Sequence, residues 1–160
     1  MAAADMFLLV EGTKTGPVKG ESSDSVYPGQ IDVLGWSWGM SSSSAIGGSG
    51  GAAKTSLSEL RIRKQADTAT TALLSVMRTG ELIRKAVLTV RKGGGAPIDY
   101  FTLTIEQGRI TAYDLESQAG PVLSEQLSIA FERIEVQYFA QDQKGARKGG
   151  SSFVAEVRPA

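Results

Sequence analysis

Any chemistry this chain performs has to come from carboxylates, lysines, tyrosines or hydroxyls, because it contains no histidine and no cysteine. Ser-His-Asp triads, thiolate nucleophiles, disulfides and most zinc sites are thereby excluded. Among the carboxylates, Glu125, Glu132 and Glu135 fall in one apolar-patterned stretch, and Glu106 and Glu116 stand elsewhere. A glycoside hydrolase needs two carboxyls about 5–10 Å apart in a cleft. No spacing here singles out such a pair, and these residues are expected on solvated or subunit-facing strand faces. The glycine-rich stretch "SSSSAIGGSGGAAK" (residues 41–54) invites comparison with a phosphate cradle. Lys54-Thr55 follows Ala53 where a P-loop requires glycine, and the sequence after it, "SLSELRIRK", reads as a strand and not a helix. Gly48, Gly50 and Ala53 match the dinucleotide fingerprint only nominally, without its βαβ setting. No catalytic, cofactor-binding or metal-ligating residue is assigned, and no enzyme activity is expected.

The remaining binding candidate is "GWSWGM", Gly35 to Met40, which carries both tryptophans. On a strand, Leu34, Trp36, Trp38 and Met40 share one face, and Gly35, Ser37 and Gly39 the other. Two neighbouring indoles suit a stacking platform for sugars, which would make this a carbohydrate-binding β-domain. Four successive apolar positions on one face favour core packing instead. The bare face suits close approach by a neighbouring subunit or another loop, since glycine inside a strand often marks such contact. The basic residues Arg84, Lys85, Arg91 and Lys92 bracket one strand and are expected on a solvated face.

Strands must supply the frame, because most of the chain alternates with period two. In "YFTLTIE" (100–106), Phe101, Leu103 and Ile105 oppose Thr102, Thr104 and Glu106. Leu60 and Ile62 alternate with Arg61 and Arg63, and Phe153, Ala155 and Val157 repeat the pattern. "GGGAP" (93–97) predicts a reversal between two strands. Two stretches change parity. Leu127, Ile129 and Phe131 are apolar at odd positions, then Ile134, Val136 and Tyr138 at even ones. Ile31 and Val33 give way to Leu34, Trp36, Trp38 and Met40. Such a switch means a bulge, or a strand passing between sheets, and predicts strongly curved sheets or a barrel. One segment has helical period: Ala69, Ala72, Leu73, Val76 and Met77 mark a helix over about 68–79. Asp67 or Thr68 would cap it, Gly80 would end it, and Arg78 sits in its last turn. Low-complexity stretches at about 41–54 and 142–152 read as flexible loops.

The chain has 160 residues, 41% of them hydrophobic, with 17 basic and 17 acidic residues. That suits one domain with a sizeable core over 1–160. Zero formal net charge gives no general attraction to nucleic acid. No stretch approaches the ~20 apolar residues of a membrane span. The opening "MAAADMFLLVEG" has no basic region and only a short apolar run, so cytoplasmic synthesis without a signal peptide is expected.

These blocks, taken in order, carry a family resemblance. Asp5-Met6-Phe7, Lys19-Gly20-Glu21-Ser22, Ile31-Asp32-Val33-Leu34, Trp36-Ser37-Trp38-Gly39 and Glu125 to Tyr138 resemble the haemolysin-coregulated protein (Hcp) family, the tube proteins of bacterial type VI secretion. The chain departs from the pattern "K-x-I-D-K-x-S-P-x-L", keeping Lys64, Asp67 and Leu73 but lacking Ser-Pro. Tyr27 and Pro28 stand where relatives place a histidine before Gly-Gln-Ile. The resemblance implies a mainly β protein: a β-barrel of two curved sheets with one flanking helix. It implies a homohexameric ring, rings stacked into a tube, and effectors carried or shielded in the lumen. Its partners would be a spike protein of the valine-glycine-repeat type and a contractile sheath, with no cofactor, no nucleic acid and no membrane insertion. Export to the exterior or a target cell would be by the type VI machine. Trp36 and Trp38 would be the family-motif core. Ser41, Ser42, Ser43, Ser44, Ala45, Ile46, Gly47, Gly48, Ser49, Gly50 and Gly51 would form a loop that projects from the rim and orders on ring stacking. A phage-type tail-tube protein shares this barrel and is the alternative reading.

Overall fold

The structure is a computed structural model and describes residues 4–43, 55–92, 98–141 and 147–157. Strands β1 (Ala4–Gly12), β2 (Gly16–Pro17), β3 (Ile31–Asp32), β4 (Gly35–Ser37), β5 (Met40–Ser42), β6 (Thr55–Leu57) and β7 (Leu60–Gln65) precede helix α1 (Ala69–Thr79). Strands β8 (Ile83–Lys92), β9 (Ile98–Ser117), β10 (Leu123–Ala130), β11 (Arg133–Gln141) and β12 (Arg147–Glu156) follow it. All described pairings are antiparallel. The twenty-residue β9 joins two halves. Its first part pairs with β8 and β11, and its second part with β10. One half therefore runs β2-β1-β8-β9-β11-β12, and the other β9-β10-β7-β4.

Both parity switches are places where the chain leaves one half for the other. The Val33 N–H donates to Met6 O on β1 (3.0 Å), and the next N–H, of Leu34, donates to Arg63 O on β7 (2.8 Å). Likewise β10 ends at Ala130 in one half, and β11 begins at Arg133 in the other. Strand β9 makes the same crossing without a break. Gln107 takes a positive φ of 55° there, which an L side chain adopts only at some cost. At the adjacent Gly108, a Cβ would lie 3.0 Å from Ala130 O.

The halves curve but do not close, which corrects the expected β-barrel. Among the described residues β12 pairs only with β11, and β4 only with β7, so no ladder joins the ends of the sheet. The crossings fold the sheet over a shared core, and helix α1 packs Ala69, Leu73 and Val76 against it. Leu8, Val10, Leu88, Leu103, Ile105 and Ile134 from one half meet Leu60, Ile62, Ile110, Leu127 and Ile129 from the other. Strand β12 also starts inside the stretch expected to be a loop. Residues 147–152 lie on its ladder with β11; 142–146 are outside the described residues, as are 44–54 of the other expected loop and the "GGGAP" reversal.

Helix α1 lies where its periodicity put it, with Ala69, Leu73 and Val76 buried. The Ala69 N–H donates to Asp67 Oδ1 (3.0 Å). Glu21 accepts from both the backbone N–H (2.7 Å) and the hydroxyl (2.8 Å) of Thr68. Gly80 ends the helix at φ 67°, its N–H turned back to Met77 and Val76 carbonyls. Arg109 donates to Gly80 O (2.7 Å), placing a second cation beside Arg78 at the negative end of the helix.

Two inward positions beneath the helix are charged. Lys64 continues the inner face of Leu60 and Ile62, and Glu125 that of Leu127 and Ile129; the two are direct cross-strand partners. Lys64 has 0% and Glu125 1% of its surface exposed. Glu125 is thus neither solvated nor subunit-facing, contrary to the sequence expectation.

Leu73→Ala removes a fully buried side chain at the centre of the helix–sheet contact and is expected to cost about 2–5 kcal/mol. Ser75→Ala, on the exposed face of the same helix, should change stability by less than about 0.5 kcal/mol. Urea unfolding midpoints of the two variants check this.

Candidate assembly surface

The tryptophan stretch is short strands, each on a different partner. Strand β4 pairs with β7 through Gly35↔Arg63, Trp36↔Ile62 and Ser37↔Arg61, and β5 pairs with β6 as a separate two-stranded ribbon. Trp36 stacks on Phe101, with centroids 5.2 Å apart and planes at 23°. Trp36 and Trp38 both pack against the core while remaining half-buried. The expected continuous apolar face is broken, since Leu34 and Met40 at its ends are 46% and 51% exposed. Half-burial and the Phe101 contact leave no pair of free indole faces, so the sugar-stacking platform is not formed. The bare face is open: a Cβ at Gly35 or Gly39 would meet nothing within 4 Å.

Reciprocal bonds between the residues flanking β5 and β6 extend the ribbon by one pair. The Ser58 N–H donates to Gly39 O (2.9 Å), and the Gly39 N–H to Ser58 Oγ (2.9 Å). Hollows flank it on both sides. One, of about 420 Å³, is lined by Trp38, Met40, Leu57 and Arg61. The other, about 710 Å³, lies between the ribbon and β12 and is lined by Met40, Leu57, Phe153, Ala155 and Val157. Trp38 Nε1 is buried with no hydrogen-bond partner among the described residues. Such a donor is costly to leave unmade.

Strand β12 supplies the other half of this surface. Its edge away from β11 carries no described ladder, and Phe153 and Val154 are exposed along it. An unpaired edge of this length is a template for another strand. Close packing fixes β12 on its inner side: a Cβ at Gly150 would sit 2.5 Å from the Phe139 ring. Of the expected stacking loop, Ser41 and Ser42 belong to β5, Ser43 follows them, and Ser44 to Gly51 lie outside the described residues.

The non-core face of the larger half carries a row of charged residues. Register sets Glu11, Lys85, Glu106, Arg133 and Glu156 side by side on β1, β8, β9, β11 and β12, so the sign alternates from strand to strand. Arg133 bonds Glu106 (3.0 Å) and lies 3.6 Å from Glu135; Arg84 bonds Glu11 (2.6 Å).

Arg91, expected on a solvated face, is buried at the end of this sheet face. Its guanidinium grips Asp24 with two bonds (2.5 and 3.0 Å), reaches Asp5 (2.8 Å), and lies 5.1 Å from the Phe7 ring centroid. The segment 18–30 folds over it, with Tyr27 against Phe7 and its hydroxyl bonded to Asp99. The bond from Arg91 holds the Asp24 carboxyl down at about 2. Burial first, then Asp99, pushes the Tyr27 phenol up to about 12.

Comparison with known proteins completes the picture. A family model described as "Type VI secretion system effector, Hcp" matches residues 7–138. Protein hcp1 of Pseudomonas aeruginosa is 36% identical over 152 residues, covering 92% of this chain and 91% of the relative. The chain belongs to the Hcp family. Its fold is that of solved Hcp structures. For Hcp1 from Salmonella typhimurium the TM-score is 0.78 at 24% identity, covering 97% of this chain and 95% of that one. For a type VI secretion system effector from Yersinia pestis it is 0.75 at 26% identity, covering 96% and 100%. As an Hcp protein the chain is a structural subunit of the type VI secretion tube. That assignment takes precedence over the phage-tail and carbohydrate-binding readings.

Two predictions follow from these contacts. Gly150→Val should displace β12 and lower the unfolding midpoint, whereas Gly149→Ala, facing open space, should not. For Asp24, the folded-state value of about 2 lies below the ordinary 3.8. Its contribution is therefore complete above the ordinary value and lost as pH falls through the folded one. Asp24→Asn should be less stable than wild type at neutral pH, with the difference vanishing towards pH 2. Urea midpoints across that range measure it.

Proposed function

We propose that the chain is a single tube domain over residues 1–160 that assembles as a homohexameric ring, and that rings stack into the tube. The observation that carries this is the unfinished surface that the described residues leave around the β5–β6 ribbon: among them, an open β12 edge, two hollows, exposed Met40 and Phe153, and a Trp38 N–H without an acceptor. A neighbouring copy seated there covers the apolar atoms and supplies an acceptor. The serine- and glycine-rich stretch Ser41 to Gly51 starts from the same ribbon and is the stacking contact between rings. The alternating charges of the larger polar face suit a wall over which effectors pass without being captured. The spike of the valine-glycine-repeat type and the contractile sheath are the remaining partners. The protein is made in the cytoplasm and leaves through the type VI machine.

Light scattering on the protein leaving a sizing column, with negative-stain images of the peak, is expected to give a ring with an open centre. A monomer at every concentration would overturn the ring. Met40→Asp combined with Phe153→Asp should leave a folded monomer. Deleting residues 44–51 should leave rings intact and abolish end-to-end tubes.

A further inference from the structure

A charged cluster lies beneath α1. Lys64 Nζ lies 2.7 Å from Glu125 Oε1 and 2.9 Å from Asp67 Oδ1. The Thr70 hydroxyl donates to Glu125 Oε2 (2.5 Å), and the Tyr113 hydroxyl to Glu125 Oε1 (2.5 Å). The Asp67 N–H donates in turn to Thr70 Oγ1 (2.9 Å). Four elements meet at one carboxylate: β7 through Lys64, β9 through Tyr113, β10 through Glu125 itself, and the first turn of α1 through Thr70, while Asp67, just before the helix, reaches Lys64. Among the described residues Glu21 also touches this turn, on Thr68, and the Asp32 carboxylate lies within electrostatic reach of Asp67 and Glu21. Only the first turn is held this way; Leu73 and Val76 hold the rest of the helix by apolar packing.

A buried ion pair is poor at adding stability but strongly disruptive when one charge is lost, because the other is left unpaired in a low-dielectric site. Protonating Glu125 takes away the nearer of the two charges paired with Lys64. Lys64, which has no exposed surface, is left with Asp67 as the nearest counter-charge. The Tyr113 and Thr70 hydroxyls also lose the charged acceptor that makes their bonds strong.

We propose that the Lys64–Glu125 pair, with Tyr113, Thr70 and Asp67, is an acid-released latch that lets the N-terminal turn of α1 lift from the sheet before the sheet itself unfolds. Burial raises the Glu125 carboxyl, but bonds from Lys64, Thr70 and Tyr113 outweigh it, and the net direction is downward from 4.5. The latch is therefore fully closed above that value and opens as pH falls through the lower folded-state value.

Hydrogen exchange of the wild-type protein, read as protection factors corrected for the intrinsic pH dependence, tests this from neutral pH into the range below 4.5. Amides of residues 70–74 are expected to lose at least tenfold in protection at a pH where those of β8 and the first part of β9 are unchanged. The Lys64→Met, Glu125→Leu double variant replaces the pair with apolar side chains of similar size, and its helix protection should not fall over that range. Loss of helix and sheet protection together in the wild type overturns the latch, as does an unchanged acid response in the double variant. If the double variant does not fold, the wild-type comparison decides alone. Neither readout requires a ring, so failure here is distinct from failure of the assembly reading.

Discussion

A strand that serves two sheets has to turn its apolar side over at the crossing, and three crossings organise this protein. They lie at Val33–Leu34, Gln107–Gly108 and Phe131–Glu132, between the same two halves. The backbone stays hydrogen-bonded through each: consecutive N–H groups at 33 and 34 find acceptors in different halves, and the Glu132 N–H donates to Glu106 O (3.2 Å). Because the crossings are shared, the halves cannot slide or separate without breaking all three. That constraint gives the fold its core without a closing ladder, and it leaves the edges at β4 and β12 available.

The same constraint explains what could be read from the residues. Parity reports which side of a strand is inward, so the switches at 33–34 and 131–132 and the helix stripe of Ala69, Leu73 and Val76 were visible. Closure was not, because a curved open sheet and a barrel share one alternation; only the pairing of the last edges separates them, and that is a long-range fact. Parity did contain one signal that composition obscured. Lys64 follows Leu60 and Ile62, and Glu125 precedes Leu127 and Ile129, each in phase with its inner face. A charged residue in phase with a core face, with an opposite charge in phase on another strand, indicates a buried pair. Arg91 offered no such cue. It is out of phase with the core and is buried by residues 18–30, far away in sequence.

The surface we propose for assembly gathers several groups that the fold leaves unsatisfied. Trp36 meets Phe101, but among the described residues the buried Trp38 N–H has no acceptor, and Met40 and Phe153 leave apolar surface exposed. Local consistency elsewhere makes these exceptions informative, since sequences depart from it mainly where function requires. Trp36 and Trp38 of the family motif and the exposed Met40 are close neighbours along β4, β5 and the link between them.

The row Glu11, Lys85, Glu106, Arg133 and Glu156 has a consequence at longer range. Adjacent strands are about 4.8 Å apart, and the screening length at physiological salt is about 8 Å. Opposite charges therefore alternate on a scale shorter than the one on which ions in solution act, and their fields largely cancel at a distance, leaving one excess negative charge in the row. On the reading that this face lines the lumen, a passing protein meets strong charges of both signs at contact and, a screening length away at physiological salt, only that small residual.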